Sequence, residues 1–145
     1  YIKELLSGGE LALANRLLGY PYGITGQVEH GKKLGRTLGF PTLNVAWQED
    51  KLVPPRGVYL SNIQVDGKWF HGISNVGVKP TVSKEERVLI ESFLFGYEGD
   101  AYGKEVAIDL LAFRRPERVF GSVAELKACI DRDIEYGKHF FANVE

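Results

Sequence analysis

Two segments of β-type composition, residues 57–65 and 68–76, are separated only by Asp66-Gly67, and that spacing constrains the fold more than any other feature of the chain. An Asp-Gly pair readily supplies the two positive φ angles of a type I′ turn, whose twist matches that of the flanking strands. The two segments are therefore expected to pair as an antiparallel hairpin. The same texture runs from Tyr22 to Arg114, with further candidate strands at 24–30, 87–95 and 104–113 separated by Gly, Pro, Asn and Asp. No helix of βαβ type interrupts them, which argues against a parallel doubly wound sheet and for an antiparallel barrel or sandwich. Helical patterns flank this β region. Residues 2–6 and 10–18 read as short helices broken by Ser7-Gly8-Gly9, the second with Leu11, Ala14, Leu17 and Leu18 at helical spacing. After Phe120, Ser122 and Glu125 form a capping box, and Val123, Leu126, Ile130, Ile134 and Phe141 make one apolar stripe, so a C-terminal helix should pack on the β structure.

Several function classes fall away on composition. The chain has 145 residues, enough for one domain around one core. Apolar runs such as residues 110–113 and 88–90 fall far short of the roughly 20 needed to cross a bilayer, and residues 1–6 lack the parts of a signal peptide. The expectation is no membrane and a cytoplasmic location. The net charge is −1 with both signs interspersed, which counts against nucleic acid as a partner. Cys129 is the only cysteine and His30, His71 and His139 are scattered, so a thiolate or histidine metal cluster has little support. There is no methionine at all, and the chain is expected to be a piece of something longer.

The densest chemistry lies in Gly26-Gln-Val-Glu-His-Gly31-Lys-Lys-Leu-Gly35-Arg36-Thr-Leu-Gly39-Phe-Pro41-Thr42-Leu-Asn44. Closely spaced glycines let backbone N–H groups approach an anion, and Lys32, Lys33 and Arg36 add positive charge, a chemistry that suits phosphate. On composition alone a solvated interstrand loop is as good a reading. The segment nearly spells a Walker A loop, but a lysine replaces the magnesium-ligating hydroxyl and no helix follows, so that motif is rejected. Thr42 and Asn44 stand two positions apart, where an extended strand turns both toward one side. Two hard, neutral oxygens there suit magnesium, which in phosphoryl-transfer sites keeps phosphate and water ligands; turn or capping roles are the ordinary alternative.

Taken together, Gly26-x-Val28-x-x-Gly31…Gly35-Arg36-x-Leu38-Gly39-Phe40-Pro41-Thr42-x-Asn44 resembles the signature of the riboflavin kinase family, including the kinase half of bacterial bifunctional riboflavin kinase/FAD synthetases. Val53-Pro54-x-x-Gly57-Val58-Tyr59, Asn75-Val-Gly77-Val-Lys-Pro80-Thr81, Glu91-Ser92, Asp100-x-Tyr102-Gly103 and Phe113-x-Arg115-Pro116-Glu117-x-x-Phe120 resemble its later motifs, in order. The likeness covers residues 20 to 141. With it, the expected fold is mainly β: an antiparallel Greek-key-type β-barrel with a C-terminal α-helix and short N-terminal helices. Residues 1–20 resemble the helical connecting segment that follows an adenylyltransferase domain, leaving 21–145 as the kinase domain. A covalently linked N-terminal FAD synthetase domain is the implied partner, with a single-function kinase as the alternative.

The resemblance implies transfer of the ATP γ-phosphate to the ribityl 5′-hydroxyl of riboflavin, giving FMN and ADP, with Mg2+ as cofactor. It implies Glu91 as general base, Thr42 and Asn44 as metal ligands, and Gly31, Arg36, Thr42, Leu94 and Tyr102 at the nucleotide. Arg115, Arg118 and Phe120 match a flap over the flavin. Read from the residues alone, Glu91 shares a strand face with Leu89, Phe93 and Phe95, an odd setting for a carboxylate unless it is paired, functional, or on the solvent side of an edge strand. One departure stands out: Phe93 occupies a place where the family often carries histidine. A non-catalytic flavin-binding or nucleic-acid-binding barrel remains the competing class, since fold alone does not determine chemistry.

Overall fold

In the computed structural model, residues 11–19, 21–29, 42–48, 51–80 and 86–144 are described. The order of elements is α1 (Leu11–Leu18), β1 (Tyr22–Glu29), β2 (Leu43–Ala46), β3 (Gly57–Val65), β4 (Lys68–Pro80), β5 (Glu86–Leu94), β6 (Glu105–Pro116) and α2 (Val123–Val144). The expected hairpin is β3–β4, and its turn has φ of 52° at Asp66 and 78° at Gly67, as a type I′ turn requires. The six strands close into an antiparallel barrel in the order β1-β2-β5-β4-β3-β6. β3, β4 and β5 form a meander, and β6 returns beside β3, which is the Greek-key connection. A barrel rather than a sandwich results, and the described strands leave no free sheet edge.

Alternation along each strand divides the apolar residues into two cores. Tyr59, Ile63, Val65, Val76, Ile90, Ile108 and Leu110 fill the barrel, each at most 1% exposed. Burial of each of the large aliphatic ones stabilises the fold by roughly 1.5–3 kcal/mol. Val58, Leu60, Ile73 and Phe141 form a second core outside the barrel, with Phe93, Phe95, Leu111, Ala112, Ile134 and Phe140 packed on it. That core is the seat of α2. Gly137 makes the seat possible, because a Cβ there would lie 2.9 Å from the Phe95 ring and 3.3 Å from Ile73 and Leu60.

Three expectations need correction. Val123 belongs to the predicted apolar stripe but is 56% exposed, since the first turn of α2 precedes its contact with the barrel. The fully buried line is instead Cys129, Asp133, Gly137 and Phe141, four residues apart, flanked by Leu126, Ile130 and Ile134. Leu17 of the predicted N-terminal face is also exposed; α1 is pinned through Leu11 and through Asn15, whose amide donates to the Leu110 carbonyl and accepts from the Tyr22 N–H. The capping box forms only in part. Ser122 Oγ accepts from Glu125 N–H, but Glu125 reaches back to the N–H of Gly121 rather than of Ser122. The predicted helix at 2–6 lies outside the described residues.

Candidate active site

The register builds one row, polar at four of its five positions, across the outer face of five strands. Asn44 on β2 lies opposite Glu91 on β5, Glu91 opposite Asn75 on β4, Asn75 opposite Val58 on β3, and Val58 opposite Arg115 on β6. Directly opposed residues project to the same side of an antiparallel pair. Alternation puts Ile90, Ser92 and Leu94 inside the barrel, so Glu91 and Phe93 face outward beneath α2. The carboxylate is thus neither in the barrel core nor on a bare edge strand. It lines a cavity of about 180 Å³ between barrel and helix, together with Thr42, Asn75, Phe93, Arg115 and Phe120.

The cavity's far wall is held by a buried ion cluster. Asp133 of α2 is 2% exposed and accepts from Arg114 Nε at 2.8 Å and from Arg115 Nε and Nη2 at 3.0 and 2.7 Å. Consecutive strand residues normally face opposite ways. Here the register slips between Val58 and Tyr59, which pair with Arg115 and Phe113, so Arg114 is the extra residue of a bulge and both guanidinium groups reach one carboxylate. The hydrogen bond to Asp133 raises the Arg115 pKa, keeping the guanidinium charged and its charge locally neutralised. Arg118 stands 5.6 Å from the Phe120 ring and donates toward Cys129 Sγ at 3.8 Å, which orders the segment between β6 and α2.

Of the residues singled out in sequence, Thr42, Glu91, Arg115, Arg118 and Phe120 come together around this cavity. Asn44, 5% exposed, stands beside Glu91 on the same face. Thr42 and Asn44 offer neutral hard oxygens, and no group of three His, Cys, Asp or Glu that could hold a metal occurs among the described residues. That donor set fits a cation completed by phosphate oxygens. Tyr102 lies elsewhere, exposed beside a cleft of about 980 Å³ lined by Val28, Glu29, Trp47, Arg87 and Gly103. Backbone bonds from Gly103 N–H to Val28 and from Val28 N–H to Lys104 tie that turn to the end of β1, where the glycine-rich segment begins. Leu94 points into the barrel core and lines neither cavity. Gly31 and Arg36 lie outside the described residues. Sequence reasoning assigned no role to Asn75 or Asp133; the first stood in a recognised motif, whereas nothing local marks the second.

Comparison with known proteins identifies the family of the chain. A family model described as Flavokinase, riboflavin kinase, matches residues 18–141. The chain is 40% identical over 146 residues to the bifunctional riboflavin kinase/FMN adenylyltransferase of Bacillus subtilis, covering 99% of this chain and 46% of that protein. It is 39% identical over 144 residues to the Listeria monocytogenes protein of the same name, with the same coverage, and 40% identical over 141 residues to that of Escherichia coli K12, covering 97% and 44%. The chain therefore spans less than half the length of these relatives. A crystal structure of a protein named as a macrolide-efflux protein from Streptococcus pneumoniae superposes with a TM-score of 0.86 at 29% identity, over 94% of this chain and 45% of that one. With a family model covering most of its length and an outer-face carboxylate set among the matching motifs, the chain belongs to the riboflavin kinase family.

Proposed function

We propose that this chain catalyses phosphorylation of riboflavin by ATP and that Glu91 is its general base. The observation that carries the reading is the cross-strand row, which puts the carboxylate, the amides of Asn44 and Asn75, and the Arg115 wall on one face roofed by α2. From Arg115 to Glu91 is three strand spacings, roughly 14 Å along the sheet. A three-ring heterocycle bearing a five-carbon tail suits such a span, with the ring near Phe120 and the terminal hydroxyl near Glu91.

In the proposed step Glu91 accepts the proton of the ribityl 5′-hydroxyl as its oxygen bonds to the γ-phosphorus. The bond from phosphorus to the bridging oxygen breaks, and ADP leaves with that electron pair. Catalysis is then mainly positioning and charge neutralisation, with proton removal added. Magnesium held by Thr42 and Asn44 would neutralise charge on the phosphates. The nucleotide lies toward the glycine-rich segment, with Gly31, Arg36 and Tyr102 as its proposed neighbours; Leu94, turned into the barrel core, is not one of them, and Arg115, Arg118 and Phe120 border the flavin. The apolar lining from Phe120, Leu126 and Ile130 suits an uncharged ring.

Incubation with ATP, magnesium and riboflavin is expected to yield FMN and ADP, resolved by chromatography. Folded protein that binds flavin but forms no FMN returns the chain to the class of binding modules. We further propose that residues 1–20 connect this domain to an adenylyltransferase domain, as the doubled length of the relatives suggests. A natural gene product whose intact mass matches about this length breaks that proposal.

A further inference from the structure

Resting on the kinase reading above, we infer that Asn75 is a specificity-determining residue that hydrogen-bonds the ribityl chain of the flavin between its ring and its reacting end. Asn75 stands one strand from Glu91 and two from Arg115 in the row, so its side chain lies partway along the cavity floor. Toward one end the lining is Phe120, Leu126, Ile130 and the ion-paired Arg115; toward the other stands the Glu91 carboxylate, and Glu117 and Arg118 also line the cavity. The remaining hydroxyl between them, Ser74, is 1% exposed and hydrogen-bonded to both Ser61 and Ser92. Asn75 is the neutral amide left facing the cavity. A primary amide both donates and accepts, which matches a polyol and involves no buried charge. Gly77, two residues along on the same face, leaves room for it and for the Glu117 carboxylate: a Cβ there would lie 3.2 Å from Asn75 Nδ2 and 2.7 Å from Glu117 Oε2.

The test compares two ligands that share one ring. Lumiflavin carries a methyl group where riboflavin carries the ribityl chain, so a contact to the polyol is visible only with riboflavin. With ADP and magnesium present, fluorescence titration of the 145-residue chain is expected to show riboflavin bound more tightly than lumiflavin. Asn75→Ala should weaken riboflavin roughly five- to tenfold, the effect of one lost hydrogen bond, and leave lumiflavin unchanged. Asn75→Leu, of similar volume, should behave alike and guards against a folding defect in the alanine variant. Equal losses for both flavins, or no loss for either, overturn the assignment while the kinase reading stands. Wild-type protein that binds neither flavin and forms no FMN breaks the kinase reading itself.

Discussion

The two faces of β5 carry opposite kinds of polarity. Inside the barrel Ser92 joins Ser74 and Ser61 in a chain of hydroxyls, each link 2.7 Å long, and all three residues are at most 1% exposed. One residue away, on the outer face, Glu91 lines a cavity between two amide-bearing neighbours and forms no ion pair with another described residue. The inner polar groups satisfy one another, as burial requires. The outer ones face the cavity beneath α2 or its edge. Burial alone therefore does not separate structural from functional polar residues; what separates them is whether their hydrogen-bonding capacity is consumed within the fold.

If that division holds, the largest effect belongs to Glu91. Glu91→Gln should keep flavin affinity and the melting temperature but lower the rate of FMN formation by roughly 10²–10⁴, the range for a lost general base. Undiminished turnover removes Glu91 from the mechanism and erases the contrast. Asp133→Asn sharpens it differently, because here an outer polar residue is consumed by the fold. Loss of the carboxylate leaves two guanidinium groups without their partner, and urea unfolding should show a loss of about 3–5 kcal/mol. On the inner face, Ser61→Ala should cost about 1 kcal/mol in the same measurement and leave kcat and flavin affinity at wild-type values. A kinetic defect in Ser61→Ala would show that the barrel interior takes part in the site.

The smallest expected effect concerns Asp109, half-buried on the outer face of β6 opposite Gly23 and Asn62. Burial raises its pKa, partly offset by Lys51. Because the folded pKa lies above the unfolded one, its contribution favours the folded state below the unfolded pKa and is lost as pH rises through the folded value. Asp109→Asn should therefore raise the melting temperature slightly at neutral pH, and the gain should vanish in acid, where the wild-type carboxyl is protonated. A gain that persists unchanged at low pH would show that charge is not its cause.

Much of this was legible before any coordinates. The Asp66-Gly67 turn, the strands around it, the C-terminal helix and the face occupied by Glu91 all follow from local chemistry and from a period of two or 3.6 residues. β2 is only four residues long, too short for periodicity to declare, and it showed through only because Thr42 and Asn44 had been read as extended. Asp133 was invisible for another reason. It sits between Arg132 and Ile134 like any helical carboxylate, and only a register slip some twenty residues earlier brings Arg114 and Arg115 to it. A bulge changes the parity of every contact beyond it, yet leaves no composition signal of its own.

By itself, then, the order of residues determined which segments extend, which coil, and which residue types were available for phosphoryl chemistry, because those depend on backbone preferences acting over a few positions. Closure of the barrel decided the rest. It joined Asn44, Glu91, Asn75 and Arg115, spread over some seventy residues of chain, into one row, since only hydrogen-bond register between strands determines which distant side chains stand together.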